Sequence, residues 1–528
     1  MTRKLSQNEI RLVEVCLILF FCMVILICLS GCIQEDKVQS KEELFIGMTQ
    51  DISGFYPWIS RDITSISVNQ NFFNCLVEID NKTKGLRPAL AESWSNPDNR
   101  TYRLYLQKNV TFHNGNKFTA DDVAFTLQFL KNFSFYQERL STITDIIIIN
   151  NYTLDIRTKD PYPLLLYDLI TVNILSSNYM QRILESNETW PIGTGPYKLA
   201  EYVPGEFIRL VCFDEYWKGT PSIPQVTFKI YKTYEQKVTG LLNGDMDIIS
   251  ITFDDVDRIT SSSNLSIKSV QTVGVIYLGF DCRINDSYAF LDGQNPVADA
   301  RVRKAIYHAI DINTLIDTKK NISSAVPCTQ FVTSYTFGYN PEILRFPYNL
   351  SVARDLMVDA GYQDGFSIVL DCIDSNLSLY LCNLIAQQLS EINITVILNP
   401  LSMNDQLMKL YFKNTSFYLT GFSPLTAEAT IHLLLHTSDM ENGLGIWNYG
   451  NYSNPAVDRL CDRILITISP SIRKELIQEA FSLAIEDVAW VPLYSSKAFY
   501  GVNKDICWDP RPSLYILLDE IAFKSDDY

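Results

Sequence analysis

The chain has 528 residues, enough for two or three domains, and its 47% hydrophobic and 20% charged content is that of a globular protein with a substantial core. A formal net charge of −16 argues against nucleic acid as a partner, because phosphate binding needs a basic face. Four histidines in the whole chain leave few places for an acid–base or nucleophilic triad.

Residues 1–31 read as a lipoprotein signal peptide to be set aside from the fold. Arg3, Lys4 and Arg11 make a basic start, and residues 15–29 are an apolar run short for a bilayer span. Leu29-Ser30-Gly31-Cys32 resembles a lipoprotein box, which implies cleavage before Cys32 and lipidation of its sulfur. An uncleaved anchor with Cys32 incidental is the competing reading, and both put the body outside the cytoplasm on a membrane tether. Residues 32–40 are polar and read as that tether. Cys75, Cys212, Cys282, Cys328, Cys372, Cys382, Cys461 and Cys507 remain; export permits disulfides, but spacing selects no pairing. The absence of a CxxC pair argues against a zinc ribbon. Fourteen Asn-x-Ser/Thr sequons, from Asn81 to Asn451, hint at a glycosylated, archaeal-like cell surface.

A strand is predicted at 43–48. The loop Gly54-Phe55-Tyr56-Pro57-Trp58 then carries three aromatic rings around a proline. Those rings either lock the loop onto its own domain or stack on a ligand. Alternation in Thr101–Leu106 puts Tyr102, Leu104 and Leu106 on one face of a strand. His113-Asn114-Gly115-Asn116 supplies a turn, and Thr119-x-x-Asp122 is a capping box opening a helix with Val123, Leu127 and Leu130 on its inner face. Residues 145–156 read as a hairpin around Asn150-Asn151. Beyond 275 the pattern alternates strand and helix in the manner of a βαβ lobe.

The wording of several stretches resembles a family. Pro88-Ala89-Leu90-Ala91-Glu92-Ser93-Trp94, Val110-x-Phe112-His113-x-Gly115 and Phe118-Thr119-Ala120-x-Asp122-Val123 look like the extracytoplasmic solute-binding proteins of peptide and nickel ABC importers. Pro191-Ile192-Gly193-Thr194-Gly195-Pro196-Tyr197, Asp214-Glu215-Tyr216-Trp217-Lys218-Gly219 and the segment from Asp299 to Asp311 continue the likeness to the C-terminus. The resemblance implies an α/β fold of the type II periplasmic-binding-protein kind: two lobes, a hinge and an extra subdomain on the N-terminal lobe. Lobe one is expected at 41–74, 193–272 and 486–528, the subdomain at 75–192 and lobe two at 273–485, with hinges near Val273 and Ile485 and the ligand between the lobes.

The resemblance also locates the specificity question. Peptide-binding members place an Asp three residues after a Gly-Trp pair, to hold the peptide's amine. Here Gly421-Phe422 is followed by Leu425 at that place, with Glu428 one helical turn on, either a substitute grip or an N-terminal helix cap. Nickel-chelate binders use an arginine in the region comparable to 161–179, which here holds no Arg or Lys. The candidate ligand-binding residues are Phe55, Tyr56, Trp58, Phe422, Glu428, Trp447 and Tyr449. His432 and His436, spaced i, i+4, suit a metal only if a third ligand exists, and none is apparent. The chain lacks GxSxG, HExxH, Walker A and GxGxxG motifs. The expectation is a monomeric, membrane-anchored receptor without enzymatic activity, metal or cofactor, which passes oligopeptides to ABC permease subunits. A nickel-chelate or oligosaccharide receptor, or a transporter-independent surface sensor, is the alternative on the same scaffold.

Overall fold

The computed structural model describes residues 42–60, 62–80, 84–180, 190–284, 295–317, 325–424 and 426–524. The leader, the tether and Cys32 lie outside the described residues, as does Leu425. From Glu43 onward the chain forms one compact unit built on two large sheets and a smaller one.

The first large sheet has seven strands, in the order Leu265–Gln271, Lys497–Asn503, Ile248–Ile251, Glu43–Met48, Gln225–Ile230, Phe207–Cys212 and Tyr197–Val203. Glu43–Met48 lies near its centre, parallel to both neighbours. Leu44, Ile46, Val226, Phe228 and Ile248 fill the core around it, as expected for parallel strands covered on both faces. Asp247 ties the strand ends together: its buried carboxylate accepts from Phe45 N at 2.9 Å and from Asn503 Nδ2 at 3.3 Å.

The second sheet has six strands, Val326–Pro327, Trp490–Ser495, Val275–Phe280, Phe417–Phe422, Phe366–Ile373 and Ile394–Leu401. The chain passes between the two sheets twice, at 272–274 and at Ser496. The two passages are bonded to each other: Thr272 N donates to Ser496 O at 2.9 Å and Ser495 Oγ to Thr272 O at 2.8 Å. The second passage therefore falls about ten residues beyond the expected Ile485. Its reason is packing: Trp490–Ser495 pairs antiparallel with Val275–Phe280, and Trp490 stacks on Tyr277 at 4.3 Å, which holds this strand in lobe two.

The third sheet is antiparallel, with the order Ala91–Asp98, Thr101–Leu106, Thr153–Thr158, Ile143–Asn150. Tyr102, Leu104 and Leu106 are buried, as their alternation predicts, and the helix Ala120–Leu130 covers them with Val123 and Leu127. Asp122 closes the capping box on Thr119 N at 2.9 Å and accepts from Ser177 N at 2.8 Å, so one carboxylate serves two chain segments.

Two of the family-like stretches meet at one junction. His113 Nε2 lies 3.0 Å from Gly195 O, Gly193 N donates to His113 Nδ1 at 3.4 Å, and His113 N donates to Gly193 O at 2.9 Å. Burial holds the ring's pKa down at about 4. A Cβ at Gly193 would sit 2.0 Å from Phe72 O, and one at Gly195 2.5 Å from Asn71 O. These glycines are required by close backbone approach, which lets Gly195 N reach Phe72 O at 2.9 Å.

Candidate interlobe binding site

In open α/β sheets ligands bind outside the carboxyl ends of the strands. In lobe one a cavity of about 250 Å³ lies there, lined by Met48, Thr49, Thr64, Ser250, Phe499 and Leu514. Behind it, buried Lys237 donates to Ser250 Oγ at 2.9 Å, and burial lowers its pKa to about 8. A second cavity, of about 270 Å³, lies between the third sheet's segment, lobe one and the C-terminal segment, with Asn74, Glu78, Tyr216 and Arg511 in its wall.

Lobe two offers a wall beyond the end of Phe417–Phe422. Thr426 caps the short helix Ala427–Thr430, its side chain accepting from Ala429 N. Glu428, in the first turn of this helix, is fully buried, and its Oε1 accepts from Arg473 Nε at 2.9 Å. Arg473 enters from the helix Pro470–Glu486, is itself buried, and gives Nη1 to Thr467 O and Ile468 O at 3.0 and 3.2 Å. Glu428 Oε2 is buried and, among the described residues, has no hydrogen-bond partner. Burial raises the carboxyl's pKa, while Arg473 pulls it the other way.

Across this pair stands a residue from the third sheet's segment. Tyr167, in the helix Leu165–Asp168, lies with its ring 5.7 Å below the Arg473 guanidinium, and Phe337 lies at 5.9 Å from the same group. Burial, with the Glu428 charge beside it, raises the Tyr167 hydroxyl to about 12, so it stays protonated. Lys84, 4.5 Å over the Tyr335 ring, makes a second contact between the same two parts.

The seven residues expected at the ligand separate into three groups. Phe55 is 9% exposed and lies edge-on to Phe72 and Tyr202, within the lobe-one core. Tyr56 and Trp58 stack on each other at 4.6 Å, and Trp58 meets Phe129, so the loop fastens lobe one to the helix Ala120–Leu130. On lobe two, Phe422 and Trp447 form a T-shaped pair at 5.5 Å, with Trp447 exposed, and Tyr449 leans on Tyr418. Glu428 belongs to the wall through Arg473. Arg473 and Tyr167 escape sequence reasoning, although one signal existed: Arg473 sits on the apolar face that Leu476, Ile477, Ala480 and Phe481 define. A lone cation on such a face needs a buried partner.

His432 Nδ1 bonds to Glu428 O at 2.8 Å and burial lowers its pKa to about 4, while His436 Nδ1 bonds to Thr437 O at 2.6 Å. Both rings are oriented by backbone oxygens. The five residues Ile431–Leu435 form a π turn, which spoils the i, i+4 alignment of an α-helix. Among the described residues no helix is long and apolar enough to cross a membrane.

Comparison with known proteins agrees with this reading of the fold. The family model "Bacterial extracellular solute-binding proteins, family 5 Middle" matches residues 85–442. The probable ABC transporter periplasmic-binding protein SapA of Escherichia coli (strain K12) is 24% identical over 480 residues, covering 82% of this chain and 83% of SapA. Among solved structures, HbpA2 from Haemophilus parasuis superposes with a TM-score of 0.82 at 20% identity, over 92% of this chain and all of that one. DppA from Helicobacter pylori, solved with the peptide STSA, gives 0.70 at 20% identity, over 92% of this chain and 98% of DppA. With two α/β lobes and a family match across most of the chain, this protein belongs to the bacterial extracellular solute-binding proteins of family 5.

Proposed function

We propose that this chain captures oligopeptides between its two lobes, closes over them and delivers them to the permease of an ABC importer. In this reading it is a monomer, performs no covalent chemistry and is held at the outer face of the cytoplasmic membrane by lipid on Cys32. The passages at Thr272 and Ser496 act as the hinge, and the segment 75–192 is an added subdomain that closes with lobe one.

The observation that carries the proposal is the buried Glu428–Arg473 pair against Tyr167, with Glu428 Oε2 making no direct hydrogen bond among the described residues. An uncompensated buried acceptor costs about 1–3 kcal/mol. In this reading a peptide's terminal ammonium complements the Glu428 carboxyl group in charge, with Arg473 as its buried partner. Phe422, Trp447 and Tyr449 supply the aromatic surface on lobe two. Side-chain breadth then comes from backbone hydrogen bonding to an extended ligand.

Titration calorimetry with one oligopeptide, free and N-acetylated, tests this without altering the protein. Acetylation removes a charged hydrogen bond of about 1.5–3 kcal/mol, so the acetylated peptide is expected to bind roughly 10- to 100-fold more weakly. Equal affinity for both forms would remove Glu428 from the site. Heat from a nickel chelate or a sugar, with none from peptides, would contradict the proposal itself.

A further inference from the structure

Sequon density is the sequence feature that peptide capture leaves unexplained. Fourteen of 35 asparagines open an Asn-x-Ser/Thr sequon, in a chain with 76 serines and threonines. A random arrangement puts a hydroxyl residue two places on for roughly one Asn in seven, or about five sequons. The excess is large enough to ask which of them the fold presents to solvent.

Ten sequons fall among the described residues, and the structure divides them. Asn109, Asn151, Asn264, Asn349 and Asn376 have exposed side chains, and the hydroxyl residue of each of these sequons is at least partly exposed. Among the described residues their amide nitrogens make no hydrogen bond; where these side chains bond, it is through Oδ1, as in Asn264 with Ser263 Oγ and Asn349 with Val352 N. All five lie in bends, turns or at helix starts. The other five are engaged or closed. Thr101, the hydroxyl of the Asn99 sequon, is buried. Asn132 Nδ2 donates to Phe129 O and Asn393 Nδ2 to Gln363 O. Thr415 and Ser416 bury the Asn414 sequon, and the Asn451 nitrogen is itself buried, its Oδ1 held by Lys413 Nζ at 3.1 Å.

The open sites also stand beside apolar surface. Ile147, Ile148 and Ile149 are exposed on the edge strand Ile143–Asn150, immediately before Asn151. Tyr348 and Val352 flank Asn349, and Leu377 follows Asn376, all exposed. Exposed apolar edges invite association with other chains, and a polar polymer at these sites would cover them.

We propose that the exported protein is N-glycosylated at Asn109, Asn151, Asn264, Asn349 and Asn376. In each case the amide Nδ2 forms a bond to the anomeric carbon of a lipid-linked oligosaccharide phosphate. The anomeric C–O bond breaks, the lipid phosphate leaves with its electron pair, and the amide proton passes to a base of the transferring enzyme. No oxidation or reduction occurs. The inference rests on export, as the family implies, and not on what the cleft binds.

Glycopeptide mass spectrometry of the protein purified from its own cells tests the assignment. Sugar masses are expected on all five peptides and on neither the Asn414 nor the Asn451 peptide. Asn109→Gln, Asn151→Gln and Asn376→Gln, in turns or at a helix start, should each remove one glycan's mass from the intact protein. Five bare asparagines would overturn the proposal, as would equal occupancy at Asn414 or Asn451, since exposure would then not be what selects the sites.

Discussion

The Glu428–Arg473 pair is the residue-scale centre of the account. Both members are buried, so removing one leaves an uncompensated charge. Arg473→Leu alone is expected to cost about 3–5 kcal/mol, while Glu428→Leu/Arg473→Leu together should cost less than Arg473→Leu alone. Equilibrium denaturation of the single and double variants measures this, and simple additivity would mean the two groups are not coupled. His113 gives a second prediction, with a definite sign. Its folded pKa of about 4 lies below the ordinary 6.5, so the unfolded chain binds the proton first. Its contribution is complete above pH 6.5 and is lost as pH falls from 6.5 towards 4, amounting to up to about 3 kcal/mol. His113→Gln should flatten that part of a stability–pH profile, leaving the portion with the same sign from His432, which is also held at about 4. An unchanged profile would show that His113 is as free to protonate in the fold as in the open chain. The roles of Arg473 and Tyr167 were hidden in the sequence because each depends on a partner dozens to hundreds of residues away, whereas the turn role of His113 follows from its neighbours alone.

At the scale of elements, local patterns were readable and partnerships were not. The capping box at Thr119, the alternation in Thr101–Leu106 and the hairpin around Asn150-Asn151 all have causes within a few residues, and each appears in the fold. The strand Trp490–Ser495 is equally visible as a strand, yet nothing local says which sheet it joins. Its pairing with Val275–Phe280 and the Trp490–Tyr277 stack decide that. The aromatic loop at Phe55–Trp58 shows the same limit: composition cannot distinguish rings that pack against Phe72 and Phe129 from rings that await a ligand. A prediction belongs here too. Gly193→Ala places a Cβ 2.0 Å from Phe72 O, which is backbone and cannot give, so the junction with the Asn71–Asn74 segment must shift. The expected cost is about 1–3 kcal/mol, seen as a lowered thermal midpoint. Gly219→Ala has open space around its Cβ and serves as the control, although its φ of +103° adds its own strain. A midpoint for Gly193→Ala no lower than that of the control would remove the close-approach account.

For the whole molecule, the same two lobes serve a family with different cargoes, so fold alone cannot name the ligand. The chain departs from the pattern that its resemblance to peptide-binding members implies, with Phe422 for a Trp and Leu425 where the Asp is expected, Glu428 lying one helical turn on. The buried Glu428–Arg473 pair beneath Tyr167 gives that departure a physical form. Native mass spectrometry of the exported body, purified from its own cells without denaturation, tests the central claim most directly. A heterogeneous set of bound masses that fragment as peptides, released together when the protein unfolds, is expected. A single nickel-containing adduct, or a ladder of sugar masses lost on unfolding, would contradict it.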